Sequence, residues 1–327
     1  MENSLLPKFP KPFEAKYSYT GTEVVVPKTV VFVGKTYNVV AVNSYAFYMC
    51  PNLTRVVLHD GILSIGSYAF YGSSMTGLDI KNAGSIGLSA FYGCREMQTA
   101  NVGNSGHISS AAFNNCTALQ TLEVSNNGNI GTSAFASCLA LRTANISNKG
   151  YIADYAFENS FIDGSGEVNI SSSGYIGNYA FYNSTGLTTA NIKNGGNIGS
   201  YAFSNCSALI TADIDNTGYI GDNAFENSFT KSRGNAIINS VGKIGNNAFK
   251  GCTKLYSVSF GSEIDTIYNN AFQNCTSLPS IVIPNNILSV GTYCFQNCTS
   301  LKSAEIGAGV DKIKDYTFNN CTALTNV

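Results

Sequence analysis

Residues 130–146 read IGTSAFASCLALRTANI, and residues 267–283 read IYNNAFQNCTSLPSIVI. With Phe135 and Phe272 as origins, the two stretches carry the same apolar slots. Ile stands five residues before the ring, Ala one before, Cys three after and Leu six after, with apolar residues nine and eleven after. The ring itself recurs at 47, 70, 91, 113, 135, 157, 181, 203, 225, 249, 272, 295 and 318, at intervals of 21 to 24 residues. A period of this length marks a stack of one supersecondary unit repeated, in which each unit buries its apolar side only against its neighbours.

Three residues before the ring stands Ser, Thr, Asp or Asn in twelve of the thirteen units, from Ser44 to Asp315. These residue types cap helix N-termini, so the spacing predicts a short helical turn carrying Ala, Phe and Cys on one inward face. The tail of each unit, as in Leu122-Glu123-Val124, alternates apolar and polar and predicts a half-buried strand. Identical strands stacked in register form a long parallel sheet. The Ile or Val five before each ring adds a second, shorter ladder. The expected fold is a curved solenoid of about thirteen coils, with the sheet on its concave face and single helical turns elsewhere.

Composition narrows the function. The chain has 19 basic and 20 acidic residues, and only 12% of it is charged. That leaves no basic patch or stripe of the kind nucleic-acid binding requires. The two histidines, His59 and His107, are 48 positions apart, and no nucleophile–base motif or phosphate loop stands clear of the repeat, so no catalytic residues and no cofactor are expected. No apolar run reaches the roughly 20 residues of a membrane span. The opening MENSLLPKFPKP does not read as a secretory signal. The ten cysteines lack metal-ligand spacing and read as buried thiols acting as small apolar groups.

The pattern Ile-Gly-x-x-Ala-Phe-x-x-Cys-x-x-Leu-x-x-Ile-x-Ile, as it stands in the two stretches quoted above, resembles the BspA-type leucine-rich repeat of bacterial surface proteins. The resemblance spans residues 42–327. It implies a right-handed solenoid of leucine-rich-repeat type, an extracellular or cell-surface location, and adhesion or host-protein binding. One departure is visible. The Pro-containing loop that usually follows the strand occurs only as IVIPNN (281–286), and the middle units carry Asn/Ser/Gly linkers with glycine at 84, 106, 128, 150, 174, 196, 218 and 242.

Residues 1–40 lie outside the array and read as an N-terminal β cap, with β-branched segments divided by Pro27 and Gly34. Residues 41–327 form the solenoid. Its other end, CTALTNV, reads as truncated or uncapped, which leaves a monomer or an end-to-end dimer open. The units of Phe157 and Phe225 each gain two residues after ENSF, read as tolerated bulges ahead of a binding loop. On the solvent side of the sheet, Thr99, Thr121, Thr143, Thr189 and Thr211 align in one row. Asn101, Glu123, Asn145, Asn169, Asn191 and Asp213 align in a second. These rows stabilise the sheet by cross-strand pairing, and equally offer a polar, weakly acidic surface to an extracellular or host protein or peptide, with a glycan as the alternative ligand. Tyr151, Tyr175 and Tyr219 share the position six before the ring and are candidate exposed aromatics.

Overall fold

The computed structural model describes residues 19–82 and 84–327. The first eighteen residues of the expected N-terminal cap, including the segment read for a secretory signal, lie outside the described residues. The alternating tails of the units form one parallel sheet of nine strands. In chain order these are Gly77–Asn82, Thr99–Asn104, Thr121–Asn126, Thr143–Asn148, Gly166–Ser172, Leu187–Asn194, Thr211–Asn216, Gly234–Ile238 and Leu255–Phe260. Side chains alternate along a strand with period two, and burial follows: in Thr121–Asn126 every second residue is buried. The Ile or Val before each ring forms the second ladder, bridged coil to coil from Val42 to Val290.

The inward side chains fill one continuous core. Its axis is the phenylalanine column. Successive rings from Phe47 to Phe318 stack with centroids 4.8–5.5 Å apart and planes within 12° of parallel. The eleven rings from Phe70 to Phe295 are fully buried. Offset-stacked rings at this spacing are attractive beyond their area burial.

No helix forms among the described residues, and the expected helical turn is corrected. Around Phe135 the amides of Ala134 and Ala136 bond back three residues, to Gly131 and Ser133, at 3.1 and 3.2 Å. The amides of Ser133, Phe135 and Ser137 instead leave the coil and reach the carbonyls of Asp154, Ala156 and Glu158 in the next, at 3.2, 2.8 and 2.8 Å. Every second amide is thus donated to a neighbouring coil, which a helix cannot allow. The alternation needs a left-handed residue two before and two after each ring, and φ is positive at both positions in all thirteen units. The second position is mostly Asn or Gly, which tolerate that region.

The Ser, Asp and Asn read as helix caps bond across coils as well. Asp154 Oδ1 accepts the amide of Asn178 at 2.8 Å, and Asn178 Oδ1 accepts that of Ser200 at 2.8 Å. The residue types are those of a cap; the amide they satisfy belongs to the next coil.

Near the amino end, Glu23–Val25 pairs in parallel with Arg55–Val57, and Thr29–Phe32 forms an antiparallel hairpin with Lys35–Asn38. Lys28 and Asp60 form an ion pair at 3.3 Å.

Candidate recognition surface

The outward positions of the nine-stranded sheet stand in strict register. Thr99, Thr121, Thr143, Glu167, Thr189 and Thr211 are successive partners, and Asn101, Glu123, Asn145, Asn169, Asn191 and Asp213 form the row beside them. Glu167 occupies a threonine place that sequence reading left blank, because its carboxylate breaks the residue type of the row. A third row, Gly103, Ser125, Ser147, Ser171, Lys193 and Asp215, was missed altogether, although it lies two residues beyond the second row in every strand. The second and third rows line a trough of about 730 Å³.

The middle row is bonded along the stack. Asn191 Nδ2 donates to Asn169 Oδ1 at 2.7 Å, Asn169 Nδ2 to Asn145 Oδ1 at 2.9 Å, and Asn145 Nδ2 to the Glu123 carboxylate at 2.6 Å. Asn191 Nδ2 also reaches Glu167 Oε1 at 3.3 Å, and Asn101 donates to Asp79 at 3.0 Å. All these donors point toward the amino-terminal coils. Acceptors therefore accumulate at the other end, where Asn191 Oδ1 faces the strand bearing Asp213 and Asp215.

A buried polar row closes the inner edge of the same strands. Asn104, Asn148, Asn194 and Asn216 donate Nδ2 to the carbonyls of Gly106, Gly150, Gly196 and Gly218, at 3.0, 2.9, 2.7 and 2.6 Å. Ser172 takes the place in one unit and donates to Gly150 at 2.7 Å. Read as linker composition, this row escaped notice; the signal was the recurrence of Asn thirteen residues after the ring. The glycines beside it are required by close approach of the coils: a Cβ on Gly150 would stand 2.5 Å from the Gly128 carbonyl oxygen.

The added residues of the Phe157 and Phe225 units act inward. Gly166 and Gly234 stand opposite Leu187 and Leu255 in the sheet, each at a bulge, and the fully buried rings of Phe161 and Phe229 fill the leucine space they leave. A Cβ on Gly166 would lie 2.5 Å from Phe161 Cδ1.

The three candidate tyrosines do not form one surface. Tyr151 and Tyr175 stack at 4.8 Å, whereas Tyr219 sits beyond Asn197 with the Lys243 ammonium 4.9 Å from its ring centre. Tyr155, Tyr179 and Tyr201 make a separate stack at 5.1 and 4.9 Å. Partial burial, with Tyr151 and Asp154 nearby, raises the Tyr175 phenol above its ordinary pKa. In such stacks the ring faces cover one another and present edges to solvent.

All ten cysteines are buried free thiols. Apart from Cys50, which donates to the Tyr48 carbonyl of its own coil, those three after the ring donate to the phenylalanine carbonyl of the preceding coil, as Cys138 does to Phe113 at 3.5 Å, and Ser160 makes the same bond to Phe135 at 2.8 Å. The slot is therefore a small donor, more than the small apolar group read from sequence. Burial pushes the Cys94 and Cys138 thiols up to about 12. His59 and His107 each use Nδ1 to accept a backbone amide, from Gly61 at 3.1 Å and Asn129 at 3.0 Å. Among the described residues no group of three or more His, Cys, Asp or Glu is placed to hold a metal ion, and no helix is long and apolar enough to cross a membrane.

Comparison with known proteins agrees with this architecture. A leucine-rich repeat protein of Bacteroides ovatus is similar in structure, with 23% identity and a TM-score of 0.54 over 92% of this chain and 85% of that one. A leucine-rich cell surface protein of Faecalibacterium prausnitzii shares 23% identity over 95% of this chain and 88% of its own, with a TM-score of 0.46. A search of the curated proteins finds no match. The model of the BspA type leucine rich repeat region matches in six copies over residues 40–163, 165–233 and 220–327. With its repeat, its phenylalanine column and its coil-to-coil ladders all of this kind, the chain belongs to the BspA-type leucine-rich repeat family.

Proposed function

We propose that this chain is a non-catalytic recognition protein of the cell surface or extracellular space, engaging a macromolecule through the outward face of its nine-stranded sheet. Its chemistry supports binding over turnover: the Cys94 and Cys138 thiols are buried and held protonated, and the histidines bond to backbone. Glu23–Val25 and the following hairpin serve as the amino-terminal cap. The observation that carries the reading is the unbroken register of three polar rows over six consecutive strands. Cross-strand stabilisation alone, about 0.2–1 kcal/mol per pair, accounts for the bonded middle row.

The test is surface plasmon resonance of the chain over immobilised extracellular-matrix and serum proteins with their native glycans. The proposal expects binding that is lost in the double variant Asn145→Ala with Asn191→Ala while its melting curve stays cooperative. Binding indifferent to that variant would place recognition elsewhere on the molecule.

A further inference from the structure

We infer that the ligand of this face is a linear, neutral or amino-bearing polysaccharide lying along the stack axis, across the strands; the inference rests on the recognition reading above. Three observations carry it.

The first is chemical. From Thr99 to Asp215 the three outward rows consist of hydroxyls, amides, carboxylates, one ammonium group and one glycine, with no aromatic, aliphatic, methionine or arginine side chain. Protein interfaces concentrate their binding energy in buried Trp, Tyr and Arg, and those anchors are missing here. A sugar hydroxyl both donates and accepts. Each central amide offers the complement, since Asn145 and Asn169 spend one N–H and one acceptance on the ladder and keep one donor and one lone pair for a ligand.

The second is spacing. The rings beneath this face step by 4.8–5.1 Å per coil from Phe91 to Phe225. A β-1,4-linked pyranose advances by close to one such step and turns over at each link, so every second sugar meets every second coil in the same way. An extended peptide repeats its outward side chains every two residues, about 6.4–6.8 Å, and drifts out of phase within a few coils.

The third is charge and polarity. From the strand Gly77–Asn82 to the strand Thr211–Asn216 the outward positions carry five carboxylates against two ammonium groups. An acidic glycan is disfavoured. The one-way amide ladder leaves Asn191 Oδ1 and the Asp213 carboxylate as adjoining acceptors, so this end takes ligand donors, hydroxyl or amino.

The experiment is isothermal titration of the full chain with four linear hexasaccharides: a β-1,4-glucan, its N-acetylglucosamine and glucosamine counterparts, and a hexauronate. Binding of at least one of the first three and none of the hexauronate is expected. The double variant Asn191→Ala with Asp213→Ala should weaken it about tenfold to a hundredfold, as for loss of charge-assisted bonds, with an unchanged circular dichroism spectrum. Asp311→Ala, exposed beyond the strand Ser303–Ile306 and away from this face, serves as the control that retains binding. Failure of all four sugars, preference for the hexauronate, or indifference to the double variant overturns the inference. Matrix proteins stripped of their glycans separate the two claims: if they still bind through Asn145 and Asn191, the recognition face stands and the polysaccharide falls.

Discussion

Phe135→Ala is the sharpest probe of the column. The ring is fully buried and stacks on Phe113 at 5.0 Å and on Phe157 at 5.1 Å, with planes tilted by 7° and 12°. Truncating a fully buried phenylalanine costs about 3–5 kcal/mol. A value near the upper end is expected, because the two stacking partners are lost together and the coils above and below are pinned by backbone bonds that resist collapse into the cavity. Phe318→Ala is the matched comparison. That ring is only partly buried and has one stacking neighbour, Phe295 at 5.5 Å, so roughly half the cost is expected. The assay is equilibrium urea unfolding followed by far-ultraviolet circular dichroism. A solenoid is a chain of nearest-neighbour interfaces, so the central variant should also broaden or split the transition, whereas the terminal one should merely shift it. Equal costs for the two, or a loss below about 1 kcal/mol at Phe135, would refute the argument that the rings form one continuous load path.

Further outcomes follow from the same geometry. Gly166→Ala should destabilise by about 1–3 kcal/mol through overpacking, because its Cβ would overlap the Phe161 ring, and Gly166→Ala with Phe161→Leu should recover part of that loss in the same urea assay. Cys138→Ser should change the melting temperature little, since serine already makes the bond to the preceding coil at Ser160 and Ser228, whereas Cys138→Val should cost about 1–2 kcal/mol by leaving the Phe113 carbonyl without its side-chain donor. Asn148→Leu should cost only about 0.5–1.5 kcal/mol, the net worth of one hydrogen bond, because the Gly150 carbonyl loses the Asn148 amide but keeps the Ser172 hydroxyl and the Gly174 amide as donors. The Cys94 and Cys138 thiols make stability pH-dependent in one direction. An unfolded thiol ionises near 8.5, while Cys94 and Cys138 in the fold are pushed up to about 12. Their contribution is complete below about pH 8.5 and is lost as pH rises from there through the folded value. Thermal melts from pH 7 to 10.5 should fall at the alkaline end, and a variant with both cysteines replaced by serine should flatten that fall.

The apolar half of the structure was legible from sequence because one repeat constrains every slot thirteen times over. Phe at the origin, Ile five before and the alternating tail carry the column and both ladders. The helical turn was misread because Ser, Asp and Asn satisfy stray amides wherever these occur, and a capped helix looks the same in sequence as a coil that bonds to its neighbour. The left-handed residues flanking each ring, such as Tyr155 and Asn159, decide between the two, and tyrosine gives no hint of positive φ. On the candidate surface, the two rows read from sequence are where the register puts them. Glu167 was lost because its carboxylate breaks the threonine row, and the third row because its mixed glycine, serine, lysine and aspartate share no residue type. The inward role of Phe161 was hidden because an inserted aromatic reads as loop decoration until the glycine opposite it is seen.

The alternation of amides between a coil and its neighbour has an evolutionary consequence. Each coil settles its own bonding with the one above and the one below, so whole coils can be copied or excised without reworking the rest. The two ENSF units, 68 residues apart, look like the trace of one such copying of three coils. The outward face of the sheet then lengthens in fixed increments of one coil, and selection can trim it by recombination where point mutation would be slow.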